Sequence, residues 1–86
     1  MASPLQNRLR KLIAQEKIDE VFDILYIKLS NRILLNESIL LYHHWRYLKR
    51  EYEAGFIDNE HYYYGQNRVI KGLLYIVDTL NDETDK

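Results

Sequence analysis

Apolar residues recur along this chain at spacings of three and four, in four separate stretches. Leu5, Leu9, Leu12 and Ile13 fall at i, i+4, i+7 and i+8, one face of a helix over about 4–15. Ser3-Pro4 opens it, with an N-cap hydroxyl followed by proline at the first helical position. Polarity alone suggests a break at Gln15-Glu16-Lys17. Val21, Phe22, Leu25 and Leu29 then predict a second helix over 19–29, with Asp19 as its N-cap and Ile18 as a hydrophobic staple. Leu34, Leu41, Trp45, Leu48 and Tyr52 predict a long third helix over 32–54, starting from Asn31 or Asn36. Tyr62, Gly65, Val69, Leu73, Ile76 and Leu80 predict a fourth over 58–80, capped by Asp58 with Glu60 in its first turn.

Gly55 is the strongest stop signal, because the residue after a helix end often adopts a left-handed conformation that glycine enters freely. Phe56 follows where a side chain commonly folds back on the last helical turn. Gly65 and Gly72 lie seven apart near the apolar face of the fourth helix and each costs about 1 kcal/mol of helix propensity. Close approach of a neighbouring helix is the expected compensation. The expected fold is therefore all-α: a compact bundle of four antiparallel helices, or five to six if the third breaks near Asn36. Residues 1–80 form one helical domain, and the apolar-free, acidic 81–86 read as a frayed tail.

Composition narrows the function. The chain has 86 residues, no cysteine and a net charge of −1, so it has room for one small core and no disulfide or thiolate chemistry. Near-neutrality argues against a general nucleic-acid binder. No apolar run is long enough for a membrane, and the first residues lack the apolar stretch of a signal peptide, so a cytoplasmic protein is expected.

Catalytic chemistry finds no foothold in the pattern. His43 and His44 are adjacent and point about 100° apart on a helix, so they cannot share an ion as an i, i+4 pair can. His61 belongs to another helix. None of Ser3, Ser30 and Ser38 sits in a glycine-flanked turn, and the three glycines are too scattered to cradle a phosphate. Neither catalytic residues, nor a metal site, nor a cofactor is expected. Arg46, Tyr47, Lys49, Arg50 and Tyr52 form a basic-aromatic cluster of the kind that tracks a phosphate backbone. Glu51 and Glu53 interrupt it, and Lys49–Glu53 reads as a self-satisfied i, i+4 pair.

The eight tyrosines change the picture most. Tyr52 and Tyr62 fit core stripes, whereas Tyr42, Tyr47, Tyr63, Tyr64 and Tyr75 do not. The fourth helix carries a second stripe of Tyr63, Asn67, Ile70, Leu74 and Val77. Beside the main face of the third run Leu40, His44 and Tyr47, with Ile39 and Tyr42 at the other edge. Either these helices lie at the centre of the bundle, or the spare stripes form an interface, where Tyr and Arg are enriched.

The stretch from Leu41 to Asp58 (LYHHWRYLKREYEAGFID) resembles the central motif of bacterial effector-associated domains, and the type-eleven group most closely. Gln66-Asn67-Arg68 before the apolar run to Asp78, and the opening Leu12–Val21, resemble the same family, so the likeness covers nearly the whole chain. Tyr64 and Gly65 depart from an acidic and a small residue usual near the middle of helix four. The resemblance implies a death-fold-like adaptor, although a death fold has six helices. Such a domain recruits a protease, nuclease or other effector by pairing with a like domain in bacterial conflict and antiphage systems.

The expected function is thus a non-enzymatic interaction domain whose partner is a protein: a like domain on an effector or sensor, or a second copy. The expected interface comprises Tyr42, Arg46, Tyr47, Lys49, Arg50, Tyr63, Tyr64, Asn67, Arg68, Ile70 and Leu74. Residues 1–54 carry nine basic and seven acidic groups and 55–86 carry three and six, a split that suits head-to-tail contact. Arg68 either bridges to Glu51 or Glu53 across the Gly55 turn or faces the partner. The alternative function is a small nucleic-acid-binding or regulatory module using Arg46, Lys49 and Arg50.

Overall fold

The computed structural model describes residues 3–80, so the expected acidic tail at 81–86 lies outside the described residues. Four helices follow in order: α1 (Pro4–Ala14), α2 (Ile18–Lys28), α3 (Arg32–Glu53) and α4 (Asn59–Thr79). There is no strand among the described residues. α3 runs unbroken through Asn36, which leaves four helices rather than five or six. Asn31 starts it, its side-chain oxygen accepting from the backbone N–H of Ile33 at 2.8 Å and of Leu34 at 3.1 Å.

α1 is anchored more firmly than the Ser3-Pro4 signal alone implies. Gln6 N–H donates to Ser3 Oγ and Ser3 N–H donates to Gln6 Oε1, a reciprocal capping box. The same buried amide donates from Nε2 to the Val77 carbonyl at 2.8 Å, tying the start of α1 to the end of α4. Arg10 pairs with Asp78 at 2.6 Å on the surface beside it.

The polar break after α1 is a complete Schellman turn: Glu16 N–H donates to Ile13 O and Lys17 N–H to Leu12 O. Glu16 takes the left-handed position at φ 60°, where glycine is usual. α2 then begins one residue earlier than expected. Ile18 is its first residue and is buried, and Lys17 precedes it without a side-chain cap. Asp19 lies inside the first turn and turns its carboxylate towards α3 instead of capping its own helix.

At the other turn, Gly55 sits at φ 81°, with Gly55 N–H donating to Tyr52 O and Phe56 N–H to Glu51 O. Phe56 does not fold back; it is 74% exposed, and Ile57 supplies the partly buried contact. Asp58 caps α4 through His61 N–H at 2.9 Å. α4 then returns along α3. A Cβ at Gly65 would meet Leu48, and one at Gly72 would meet Leu41, each at 2.7 Å. The seven-residue glycine spacing on α4 thus matches a seven-residue leucine spacing on α3, and this close approach offsets the helix propensity the glycines give up.

The core joins all four helices through Leu9, Ile13, Val21, Phe22, Leu25, Leu34, Trp45, Leu48, Val69, Leu73 and Ile76. Val77, expected on the spare stripe of α4, is fully buried, while Ile70 and Leu74 are partly buried against the core. The contacts of Gln6 and Arg10 with Val77 and Asp78 bring α1 against the end of α4. The extents of 44 × 23 × 16 Å follow from α3, whose 22 residues span about 33 Å.

Candidate protein-interaction surface

The side stripes of α3 lie open to solvent. Ile33, Ile39, Leu40, Tyr42 and Tyr47 are all exposed, as are Tyr63, Tyr64 and Tyr75 on α4. Tyr52 and Tyr62 are half-buried as their stripes predict, stacked at 4.1 Å between ring centroids, with Trp45 6.1 Å from Tyr62. Burial raises the Tyr62 phenol above its ordinary range, with the Lys49 charge pulling the other way.

Tyr42 and Arg46 come together on one flank of α3. The Tyr42 ring meets Phe22 of α2 edge-on at 5.2 Å, and the Arg46 guanidinium lies 5.9 Å above it. Tyr42 and Phe22 form one end of a groove whose other walls are Tyr26 and Ile27 of α2 and Ile39 of α3. Its volume is about 650 Å³ and its lining is predominantly apolar. Tyr26 and Ile27, at 69% and 77% exposure, were not among the expected interface residues. The sequence pattern did not mark them, since Tyr26 lies four residues after Phe22 and three before Leu29, a spacing that reads as core.

Lys49 is held elsewhere than on its own helix. Its ammonium pairs with Asp19 at 3.1 Å and lies 5.7 Å from the Trp45 ring, so the expected pair with Glu53 is not made. Asp19 also accepts from Trp45 Nε1 at 2.9 Å. Partial burial pushes the Asp19 carboxyl up. The hydrogen bonds from Trp45 and Lys49 and the charges of Lys49 and Arg46 outweigh this and hold it below its ordinary value. Of the basic cluster, Arg50 stands exposed without an ion pair among the described residues.

α4 supplies a second, shallower groove in which Tyr64, Asn67, Arg68 and Ile70 are joined by Lys71. Arg68 reaches neither Glu51 nor Glu53 and has no ion pair among the described residues. Glu51 instead accepts from the Tyr47 hydroxyl at 3.3 Å. Leu74 contributes mainly to the core, and Tyr47 and Tyr63 stand outside both grooves. The Tyr63 and Tyr62 rings meet in a T-shaped pair, 5.5 Å between centroids.

His43, His44 and His61 are exposed on different faces and turns. His61 Nδ1 lies 2.7 Å from Asp58 Oδ1. The Asp58 carboxyl is lowered by the hydrogen bond from the His61 backbone and then by that from its ring. No helix among the described residues is long and apolar enough to cross a membrane.

Four helices over one small core, with aromatic and basic side chains left outside it, define a small helical module among the described residues. The model for effector-associated domain 11 matches residues 4–81, nearly the whole chain, and the protein belongs to that family. No curated protein and no solved structure matches the chain.

Proposed function

We propose that this protein is a non-enzymatic adaptor domain that recruits an effector by pairing with a related domain, in the cytoplasmic signalling of a bacterial immune or conflict system. The observation that carries the reading is the exposed aromatic set, Tyr26, Tyr42, Tyr47, Tyr63, Tyr64 and Tyr75, on a chain that belongs to an effector-associated family. In this reading the four-helix unit does the recruiting that six-helix death-like domains do elsewhere. Tyrosine and arginine suit such contacts, because a ring buries large area at little conformational cost and a guanidinium adds directed hydrogen bonds.

The engagement of Lys49 with Asp19 favours a protein partner over a nucleic acid, since it removes the central cation from the Arg46–Arg50 cluster. The α4 groove of Tyr64, Asn67 and Arg68 offers a phenol, an amide and a guanidinium with no ion pair among the described residues to a partner surface. The test is a binding measurement against an effector encoded beside this gene that carries its own effector-associated domain. The wild-type chain binds it, and a Tyr64→Ala/Arg68→Ala variant with unchanged circular dichroism binds at least tenfold more weakly. Failure of the wild type to bind any such domain, or full binding by the variant, refutes this assignment.

A further inference from the structure

The exposed Phe56 and the apolar α2–α3 groove fit one another in chemistry and cannot meet within one molecule. Phe56 stands on a rigid turn, pinned by the two Schellman hydrogen bonds, and has no core role at 74% exposure. The groove is open between Tyr26 and Ile27 on one side and Ile39 and Tyr42 on the other. From Tyr42 to the end of α3 is about 18 Å along the helix, so a chain cannot place its own Phe56 in its own groove.

Charge points the same way. Arg46 lies over the Tyr42 ring at one end of the groove, and helical spacing puts Arg32 and Arg50 on the same side of α3, about 10 and 16 Å along the helix from Ile39. All three arginines are exposed, and Asp23 is the acidic group on the facing wall. Around Phe56 the sign reverses: Glu53, Asp58 and Glu60 are exposed, and no Lys or Arg occurs between Arg50 and Arg68.

Resting on the adaptor reading, we infer that the occupant of the groove is a second copy of this chain, which inserts Phe56 between Tyr26 and Ile39 with its acidic turn against the arginines of α3. One such junction leaves a free Phe56 turn at one end of the pair and a free groove at the other. The contact is heterologous and assembly grows head to tail. Each aromatic ring carries roughly 150–250 Å². A few such side chains bury less than the roughly 1,200 Å² of a standard interface, so each junction is weak and assembly responds to concentration.

The experiment is sedimentation velocity at rising concentration on the wild type, Phe56→Asp, Tyr26→Asp and an equimolar mixture of the two variants. Both positions are exposed, and circular dichroism confirms that the variants keep their helices. The wild type forms dimers and larger species, and each variant alone associates at least tenfold more weakly. The mixture forms a one-to-one dimer and nothing larger, because it contains one intact turn and one intact groove that can meet. Wild-type association in either variant, or a mixture no better than its components, overturns the inference. So does a wild type that stays monomeric. The adaptor reading survives each of these results if the wild type still binds an effector's related domain, and it falls if that binding is absent.

Discussion

Leu48 lies over Gly65 so closely that a Cβ there would sit 2.7 Å from Leu48 Cδ1, 2.9 Å from Cδ2 and 3.4 Å from Cγ. Both methyls and their branch carbon crowd the position, so Leu48 must shift to admit a methyl group there. Leu41 stands over Gly72 in the same way. Gly65→Ala therefore makes Leu48 repack between α3 and α4, an overpacking cost of about 1–3 kcal/mol set against about 1 kcal/mol of gained helix propensity. Thermal or urea denaturation should show a net loss of up to about 2 kcal/mol. A double-mutant cycle with Leu48→Ala should show favourable coupling between the two substitutions. Simple additivity would mean that the leucine is not what the glycine accommodates.

Gly55 differs from the other two glycines in kind. A Cβ there meets nothing within 4 Å, so only the backbone at φ 81° penalises a side chain. Gly55→Ala should cost about 1–2 kcal/mol. Denaturant midpoints compare it with Gly65→Ala, and Leu48→Ala should leave the Gly55→Ala cost unchanged.

Gln6 caps α1 and binds the Val77 carbonyl with one side chain that is 3% exposed. Gln6→Leu should cost about 1–2 kcal/mol, because it removes one of the two hydrogen bonds to the Val77 carbonyl, which keeps that from Leu80 N–H, and breaks the capping box. Hydrogen exchange should show faster opening of the first turn of α1. Protection equal to wild type there would contradict the assignment.

The lowered Asp19 carboxyl sets an acid dependence. A folded-state value below the unfolded one, about 3.9, means its contribution is present above pH 4 and is lost as pH falls through the folded value. Asp19→Asn keeps an acceptor for Trp45 but discards the charge that holds Lys49. For so exposed a pair the loss at pH 7 should be below about 1 kcal/mol. The difference from wild type should shrink below pH 4. Stability curves from pH 2 to 7 read it directly.

Arg68 separates stability from pairing. With no ion pair among the described residues, Arg68→Ala should leave the melting temperature within experimental scatter. Its effect should appear instead in binding to a related domain. A marked fall in melting temperature would show an intramolecular role.

The sequence by itself determined where the helices lie and that a neighbouring helix approaches the glycines of α4 closely; the structure showed that neighbour to be α3. Those features are local: an apolar residue every third or fourth position, Asn31 and Asp58 at helix starts, Gly55 at a helix end, and two glycines seven apart. Membership of the effector-associated family was also legible, because its residues run through almost the whole chain. Only the tertiary structure decided which flank of each helix a neighbour covers. Periodicity cannot distinguish a stripe that another helix buries from one left in water. Val77 is fully buried and Leu74 packs partly buried against the core, whereas Tyr26, Ile27 and Ile39 stay exposed. Asp19 looked like a cap from its neighbours in the chain, yet Trp45 and Lys49, 26 and 30 residues away, claim its carboxylate. Phe56 likewise sits where a ring commonly folds back, but Ile57 supplies the partly buried contact and leaves the ring in solvent.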